Sequence, residues 1–110
     1  MTERENVKAT LGEIAGVKLV ATTWPKQFKE LPCILLTMAG EKGADFRDDE
    51  EYLTEIEWYV RVFAVKEDNL LAVADAAQTA MQQLGYVRNL RWEEPGADLR
   101  QVALRFTKTI

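Results

Sequence analysis

The sequence predicts an α+β domain in which an antiparallel sheet carries two helices on one face. Residues 52–66 alternate apolar and polar side chains with the period of two that marks a strand. Residues 3–15 and 69–84 instead repeat apolar side chains at intervals of three and four, which is typical of helices. A turn-forming cluster at residues 94–98 separates two further strand-like segments. We therefore expect the order α-β-β-β-α-β-β in a single domain that spans residues 1–110.

The first helix has a recognisable start and end. Thr2 and Glu5 have the spacing of a capping box, in which each side chain satisfies a free backbone amide of the other residue. Val7 and Leu11 begin a narrow apolar stripe behind this box. Gly16 supplies the left-handed residue that commonly ends a helix.

The next segment contains two expected strands and two connections. Residues 18–22 are apolar and β-branched, and Pro25 breaks this strand because proline donates no ladder hydrogen bond. Residues 24–30 are then a connector. Residues 32–38 are almost wholly apolar, which predicts a second strand covered on both faces. We expect a polar loop over residues 40–50.

The strand at residues 52–66 has two chemically different faces. One face is apolar and belongs to the predicted core: Ile56, Trp58, Val60, Val62 and Ala64. The other face is more polar: Glu55, Glu57, Tyr59 and Arg61. This strand is long for a small domain, so we expect a bend or an end that projects as a hairpin arm.

The C-terminal part predicts a helix followed by a closing hairpin. Glu67 or Asp68 can cap the second helix, and Gly85 closes it. Residues 86–93 and 99–107 are the two strands of the hairpin.

Composition limits the classes of function. The chain has 110 residues, no apolar run near the roughly 20 residues that cross a bilayer, and a polar N-terminus unlike a signal peptide. A cytoplasmic protein without membrane attachment is expected. The single cysteine, Cys33, excludes an internal disulfide and is expected to be a buried thiol.

Catalytic chemistry finds no support in the sequence. Histidine is absent, which removes the commonest general base and metal ligand. Glu55 and Glu57 project from one strand face about 7 Å apart, but such pairs are common on polar strands. The acidic residues at 45–51 lack the spacing of an EF-hand, and no glycine-rich phosphate loop occurs. We expect no enzyme activity, no cofactor and no metal.

The charge is unevenly distributed. Seven carboxylates and one cation lie between residues 45 and 57, whereas residues 86–110 hold five cations and three acids. Two oppositely charged regions suit head-to-tail self-association, although solvated faces explain them equally well. The net charge of −4 argues against binding nucleic acid through its phosphates.

These patterns nominate an interaction surface. Trp24 lies in a connector and Trp92 near a strand end, places where tryptophan contacts partner proteins or packs onto the edge of its own core. The candidate interface residues combine these tryptophans with the charged positions: Trp24, Asp45, Arg47, Asp48, Asp49, Glu50, Glu51, Arg88, Arg91 and Trp92.

Most of the chain resembles the tail-completion, or tail-terminator, proteins of long-tailed bacteriophages and prophages. The resemblance rests on the capped N-terminal helix, on ELPCILLT at residues 30–37, on DFRDDEEYLTEIEWYVRVFA at residues 45–64, and on EDNLLAVADAAQTAMQQLGY at residues 67–86. These segments are patterns of polarity and length, without a catalytic signature.

The resemblance implies a structural role in virion assembly. Proteins of this group form rings, commonly hexamers, at the head-proximal end of the tail tube, where they stop tube polymerisation and join tail to head. The implied partners are further copies of the chain, the tail-tube protein and head-completion proteins; DNA passes through the lumen without specific binding. The implied location is the host bacterial cytoplasm during assembly and then the virion tail. Another head–tail connector, a minor tail component and a small ligand-binding α+β module are the alternatives.

Overall fold

The computed structural model describes the backbone of residues 2–47, 50–94, 96 and 99–109, and the side chains of these residues outside 40–54. Its elements are α1 (Glu3–Gly12), β1 (Leu19–Ala21), β2 (Cys33–Arg47), β3 (Glu50–Ala64), α2 (Glu67–Gln83), β4 (Val87–Glu94) and β5 (Arg100–Thr109). The predicted α+β class and the order α-β-β-β-α-β-β are confirmed.

The strands form one five-stranded sheet in the order β1-β2-β3-β5-β4. All neighbours pair antiparallel except β1 and β2, which are parallel, with Leu19 opposite Cys33. The sheet is therefore mixed rather than wholly antiparallel. The difference arises because the connector at residues 22–32 returns the chain to the starting end of β1, so that β2 runs in the same direction.

Both helices pack on one face of the sheet, as expected. Val7 and Leu11 of α1 and five apolar residues of α2 bury against the apolar faces of β2, β3 and β5. Trp58 and Phe106 are the largest side chains at the centre of this core, and neither is accessible to solvent. The two faces of β3 are those that the sequence predicts.

The helix ends follow the predicted signals in part. The Thr2 hydroxyl accepts a hydrogen bond of 3.1 Å from the Glu5 amide, which confirms the N-terminal cap. Helix α1 ends at Gly12, three residues earlier than expected, and Gly16 adopts the left-handed conformation in the turn that follows.

Helix α2 ends in a Schellman motif and begins without a side-chain cap. The amides of Gly85 and Tyr86 donate to the carbonyls of Gln82 and Met81, each at 3.0 Å, and Gly85 has a φ of 94°. The expected cap by Glu67 or Asp68 is wrong because both residues lie inside the first turn, where a carboxylate favours the helix through its dipole.

The hairpin of β2 and β3 reaches far beyond the rest of the sheet. Strand β5 accompanies β3 only from Glu55 to Ala64, and from Gly43↔Thr54 to Arg47↔Glu50 the two strands pair only with each other within the described residues. We call residues 43–54 the hairpin arm. The polar loop predicted at residues 40–50 is wrong over 40–47 because register shifts at Gly40 and Asp45 absorb its irregular sequence within the ladder. The arm expected from the length of β3 is confirmed.

Candidate interaction surface

The face of the sheet that lies opposite the helices is covered at one end only. There the connector places Phe28 and Leu31 over Cys33, Leu35 and Phe63, which form a second, small apolar cluster. No helix or strand of the described residues covers the remainder of this open face, which extends across β3, β5 and β4.

Arg61 stands at the centre of the open face between two aromatic rings. Its guanidinium carbon lies 4.9 Å from the centroid of the Tyr59 ring and 5.5 Å from that of Trp24. Its Nη1 also donates a hydrogen bond of 3.2 Å to the Thr37 hydroxyl. Cation–π contacts of this kind fix the position of a long side chain that would otherwise move freely in solvent.

The aromatic surface continues across the neighbouring strands. Tyr59 meets Trp92 edge to face, with their ring centroids 6.2 Å apart. Ala103, which pairs with both Arg61 and Trp92 in the ladder, is fully buried beneath these larger side chains. Trp24, Arg61, Tyr59 and Trp92 therefore make a continuous band, which we call the aromatic–arginine row.

The row contains and adjoins apolar surface that faces solvent. Trp24 is 58% exposed although one edge of its ring contacts Phe63. On β4, Leu90 is 50% and Val87 64% exposed, and their ladder partners Arg105 and Thr107 place them on the open face. One patch thus combines an exposed tryptophan with half-buried tryptophan, tyrosine and arginine, which is the composition of an interface centre.

The polar groups of the open face differ in their partners. Arg105 forms an ion pair with Glu57, and the Thr107 hydroxyl donates to Asn89 Oδ1 at 2.8 Å. Arg61 has no carboxylate partner within the described part of the chain. The row thus presents one fixed, unneutralised cation between aromatic rings.

The structure divides the predicted interface residues into three groups. Trp24 and Trp92 lie on the open face, at the two ends of the row. Arg88 and Arg91 lie on the other side of β4, where Arg88 donates to Gln78 at 3.2 Å and Arg91 pairs with Asp75 at 2.8 Å. These two arginines therefore bind the protein's own helix α2 and stand apart from the tryptophans.

The acidic positions belong to the hairpin arm. The backbone of Asp45, Arg47, Glu50 and Glu51 is strand, with Asp45 opposite Leu53 and Arg47 opposite Glu50. Asp48 and Asp49 lie outside the described residues. The backbone of Asp45, Glu50 and Glu51 therefore lies apart from both the row and the arginines of β4.

Sequence reasoning missed the centre of this surface. Tyr59 and Arg61 were assigned to the polar face of β3 but not to the interface, because strand periodicity gives the face and not the neighbours across it. The available signal was their residue types: a tyrosine that directly follows the core residue Trp58, and an arginine two positions further along the same strand face.

The described residues can be compared with the requirements of a metal site, a reactive thiol and a cleft. No group of three acidic or cysteine side chains is arranged to hold a metal ion there. Burial raises the pKa of the Cys33 thiol, which disfavours the reactive thiolate. A depression of about 620 Å³ along residues 88–93 is lined by β4 alone, so it is the surface of an edge strand and not a cleft between elements. Neither described helix is both long and apolar enough to cross a membrane.

Comparison with known proteins finds similarity among solved structures. The sequence matches no protein-family model and no curated protein. A chain in the structure titled "Virion of native gene transfer agent (GTA) particle" is similar to this chain with a TM-score of 0.49 and 15% identity, over 92% of this chain and 81% of that chain.

Proposed function

We propose that this chain is a tail-terminator, or tail-completion, protein of a long-tailed phage or prophage, which forms a ring at the head-proximal end of the tail tube. The sequence resemblance supplies the class of protein. The observation that carries the proposal is that one chain combines a projecting two-stranded arm with an uncovered sheet face. Such a molecule is incomplete as a monomer and suited to assembly.

The arm is an unusual feature for a protein that works alone. Its two strands lack neighbouring strands in the described residues, so their outward-facing amides and carbonyls are free to pair with another chain. Strand addition of this kind is a common mode of protein recognition. The arm is therefore a connector between subunits rather than part of the folded body.

A ring requires two different patches that meet after rotation. The arm and the open face are two such patches, and they lie at different places on the elongated molecule, whose principal extents are 53, 27 and 26 Å. We pair the arm with the open face rather than with the basic C-terminal hairpin, because Arg88 and Arg91 of that hairpin bind α2 of their own subunit. A hexamer is the stoichiometry that the resemblance favours.

The net charge also suits a conduit for DNA. A chain with a net charge of −4 repels the phosphate backbone, so a ring built from it gives passing DNA no adhesive surface. Specific contacts are then made with protein partners: the tail-tube protein on one side of the ring and head-completion proteins on the other.

The direct test is to add the purified protein to polymerising tail-tube protein from the same phage. We expect tubes to stop elongating, with the added protein located at one end by electron microscopy. Tubes that elongate normally, with no protein at their ends, would contradict the terminator role. Normal elongation combined with binding to head-completion proteins would indicate another head–tail connector.

A variant without the arm provides the matched control. Lys42 and Glu55 lie opposite each other in the ladder, so an Asn-Gly turn between them can replace residues 43–54 while leaving the sheet body intact. We expect this variant to keep its thermal stability, because the core lies outside the arm, and to lose both ring formation and tube capping.

A further inference from the structure

We propose that the aromatic–arginine row is the docking site for the hairpin arm of a second copy of this chain. This inference rests on the proposed function, because it specifies the contact that closes the ring. The occupant is the acidic arm of the neighbouring subunit, which lies across the row of Trp24, Arg61, Tyr59 and Trp92.

Charge complementarity identifies the hairpin arm as the occupant. Residues 43–54 contain five carboxylates and one cation. Their net charge of −4 equals that of the whole chain, so the rest of the chain is electrically balanced. On the row, Arg61 has no carboxylate partner among the side chains that the structure describes, and it is held between two rings, which leaves its charge available in a fixed place. An acidic strand that lies over Arg61 supplies the missing anion.

The chemistry of the row also fits a strand as its occupant. The guanidinium binds a carboxylate through paired N–H donors, and the flanking aromatic rings exclude water from that contact. Leu90 and Val87 extend the same face with exposed apolar surface, which matches the aromatic and aliphatic residues of the arm sequence, Phe46 and Leu53. The row therefore offers both charge and apolar contact to the same segment.

The arm cannot reach the row of its own subunit. Glu50 and Arg61 lie on the same strand, eleven residues apart, which is about 36 Å at 3.3 Å per residue. Strand β3 is paired with β2 along this length, and its residues 50–54 extend beyond the end of β5. The contact is therefore between copies, and it is heterologous, because an arm meets a face.

The test measures self-association by analytical ultracentrifugation over a dilution series of the full chain. We expect Arg61→Glu to weaken association by at least about tenfold, since it places like charges in contact. Lys8→Glu is the matched control: it makes the same change in charge on an exposed position of α1, on the opposite side of the sheet, and is expected to leave association unchanged.

A charge exchange makes the test specific to the arm. The variant Glu50→Lys/Glu51→Lys is expected to associate poorly alone, as is Arg61→Glu. An equimolar mixture of the two recovers association, because the acidic arm of one variant then meets Arg61 of the other and the introduced lysines meet the introduced glutamate. Trp24 emission should shift to the blue in the mixture as its exposed ring becomes covered, and Trp24→Phe removes that signal.

Two results would overturn the inference. One is an Arg61→Glu variant that associates as tightly as the native chain; the other is a native chain that stays monomeric at every concentration and in the presence of tubes. The first result does not decide the terminator role, which is read separately from tube length: capping without arm-to-row contact would retain the proposed function and discard only this interface. The second result would also contradict the ring of the proposed function.

Discussion

Tyr86 shows how much of this fold depends on single side chains. It is the third residue beyond α2, it is buried, and its hydroxyl accepts a hydrogen bond of 3.0 Å from Trp58 Nε1. The same hydroxyl donates to Glu3 Oε1 at 2.7 Å, and Lys108 lies 3.8 Å from that carboxylate. One phenol therefore links the start of α1, the centre of β3 and the end of β5.

Replacing this phenol tests the link. We expect Tyr86→Phe to lower the free energy of unfolding by about 1–3 kcal/mol, because Trp58 Nε1 is left in the core without an acceptor. Urea denaturation followed by tryptophan fluorescence measures the change. Tyr59→Phe, at a half-buried position on the open face, is the control and should cost less; equal losses in the two variants would contradict the role of the hydroxyl.

The same group predicts a dependence of stability on alkaline pH. Burial, together with the hydrogen bond to Glu3, raises the pKa of Tyr86 above its ordinary value of 10.0. The folded state then keeps its proton at pH values where the unfolded state loses it, so this stabilisation is complete below about pH 10 and decreases as the pH rises further. Unfolding free energies measured from pH 8 to 11 should fall less steeply in Tyr86→Phe than in the native chain.

At the scale of elements, the C-terminal ends of the two helices differ in whether the backbone conformation requires glycine. Gly85 has a φ of 94° and ends α2, whereas Gly12 has no positive φ and a Cβ added there would meet only Val20 Cγ2, at 3.9 Å. The backbone conformation of Gly85 is therefore specific to glycine, and that of Gly12 is not.

Alanine substitutions at Gly85 and Gly12 should change the stability of the protein in opposite directions. We expect Gly85→Ala to destabilise the protein by about 1–2 kcal/mol, because the left-handed conformation is strained for any residue with a Cβ. Gly12→Ala should stabilise it by about 0.4–1 kcal/mol, since it reduces the entropy of the unfolded chain without strain. Thermal unfolding of both variants gives the comparison, and a stabilising effect at Gly85 would contradict the Schellman assignment.

At the scale of the whole molecule, the important property is the separation of charge from the folded body. The chain outside the hairpin arm is electrically balanced, and the excess negative charge belongs to residues 43–54. Because the arm projects from the body, its charges do not disturb the packing of the core. They can therefore serve contact between subunits without reducing the stability of each subunit.

Salt should therefore act on assembly and not on folding. The Debye length falls from about 8 Å at 0.15 M to about 3 Å at 1 M ionic strength, which screens contacts between exposed charges. We expect self-association of the native chain to weaken several-fold between these conditions in light scattering coupled to size exclusion. The variant that lacks the arm should stay monomeric at both, with an unchanged melting temperature; association that strengthens with salt would indicate an apolar interface instead.

The sequence by itself determined the α+β class, the order of the elements, the two faces of β3 and the burial of Cys33 and Trp58. These features depend on local periodicity and on hydrophobic side chains, which one chain segment expresses without reference to another. The helix ends at Thr2 and Gly85 could be predicted from the sequence for the same reason.

Only the tertiary structure decided how the candidate surface is composed. Arg88 and Arg91 bind α2, while Trp92 on the same strand joins Tyr59 and Arg61 on the opposite face, and this partition depends on strand order and register. The parallel pairing of β1 with β2 and the extension of the ladder through residues 40–47 have the same origin. Pairing between strands is a long-range property, since hydrogen bonds across a ladder can accommodate glycine and charged residues that local propensity assigns to a loop.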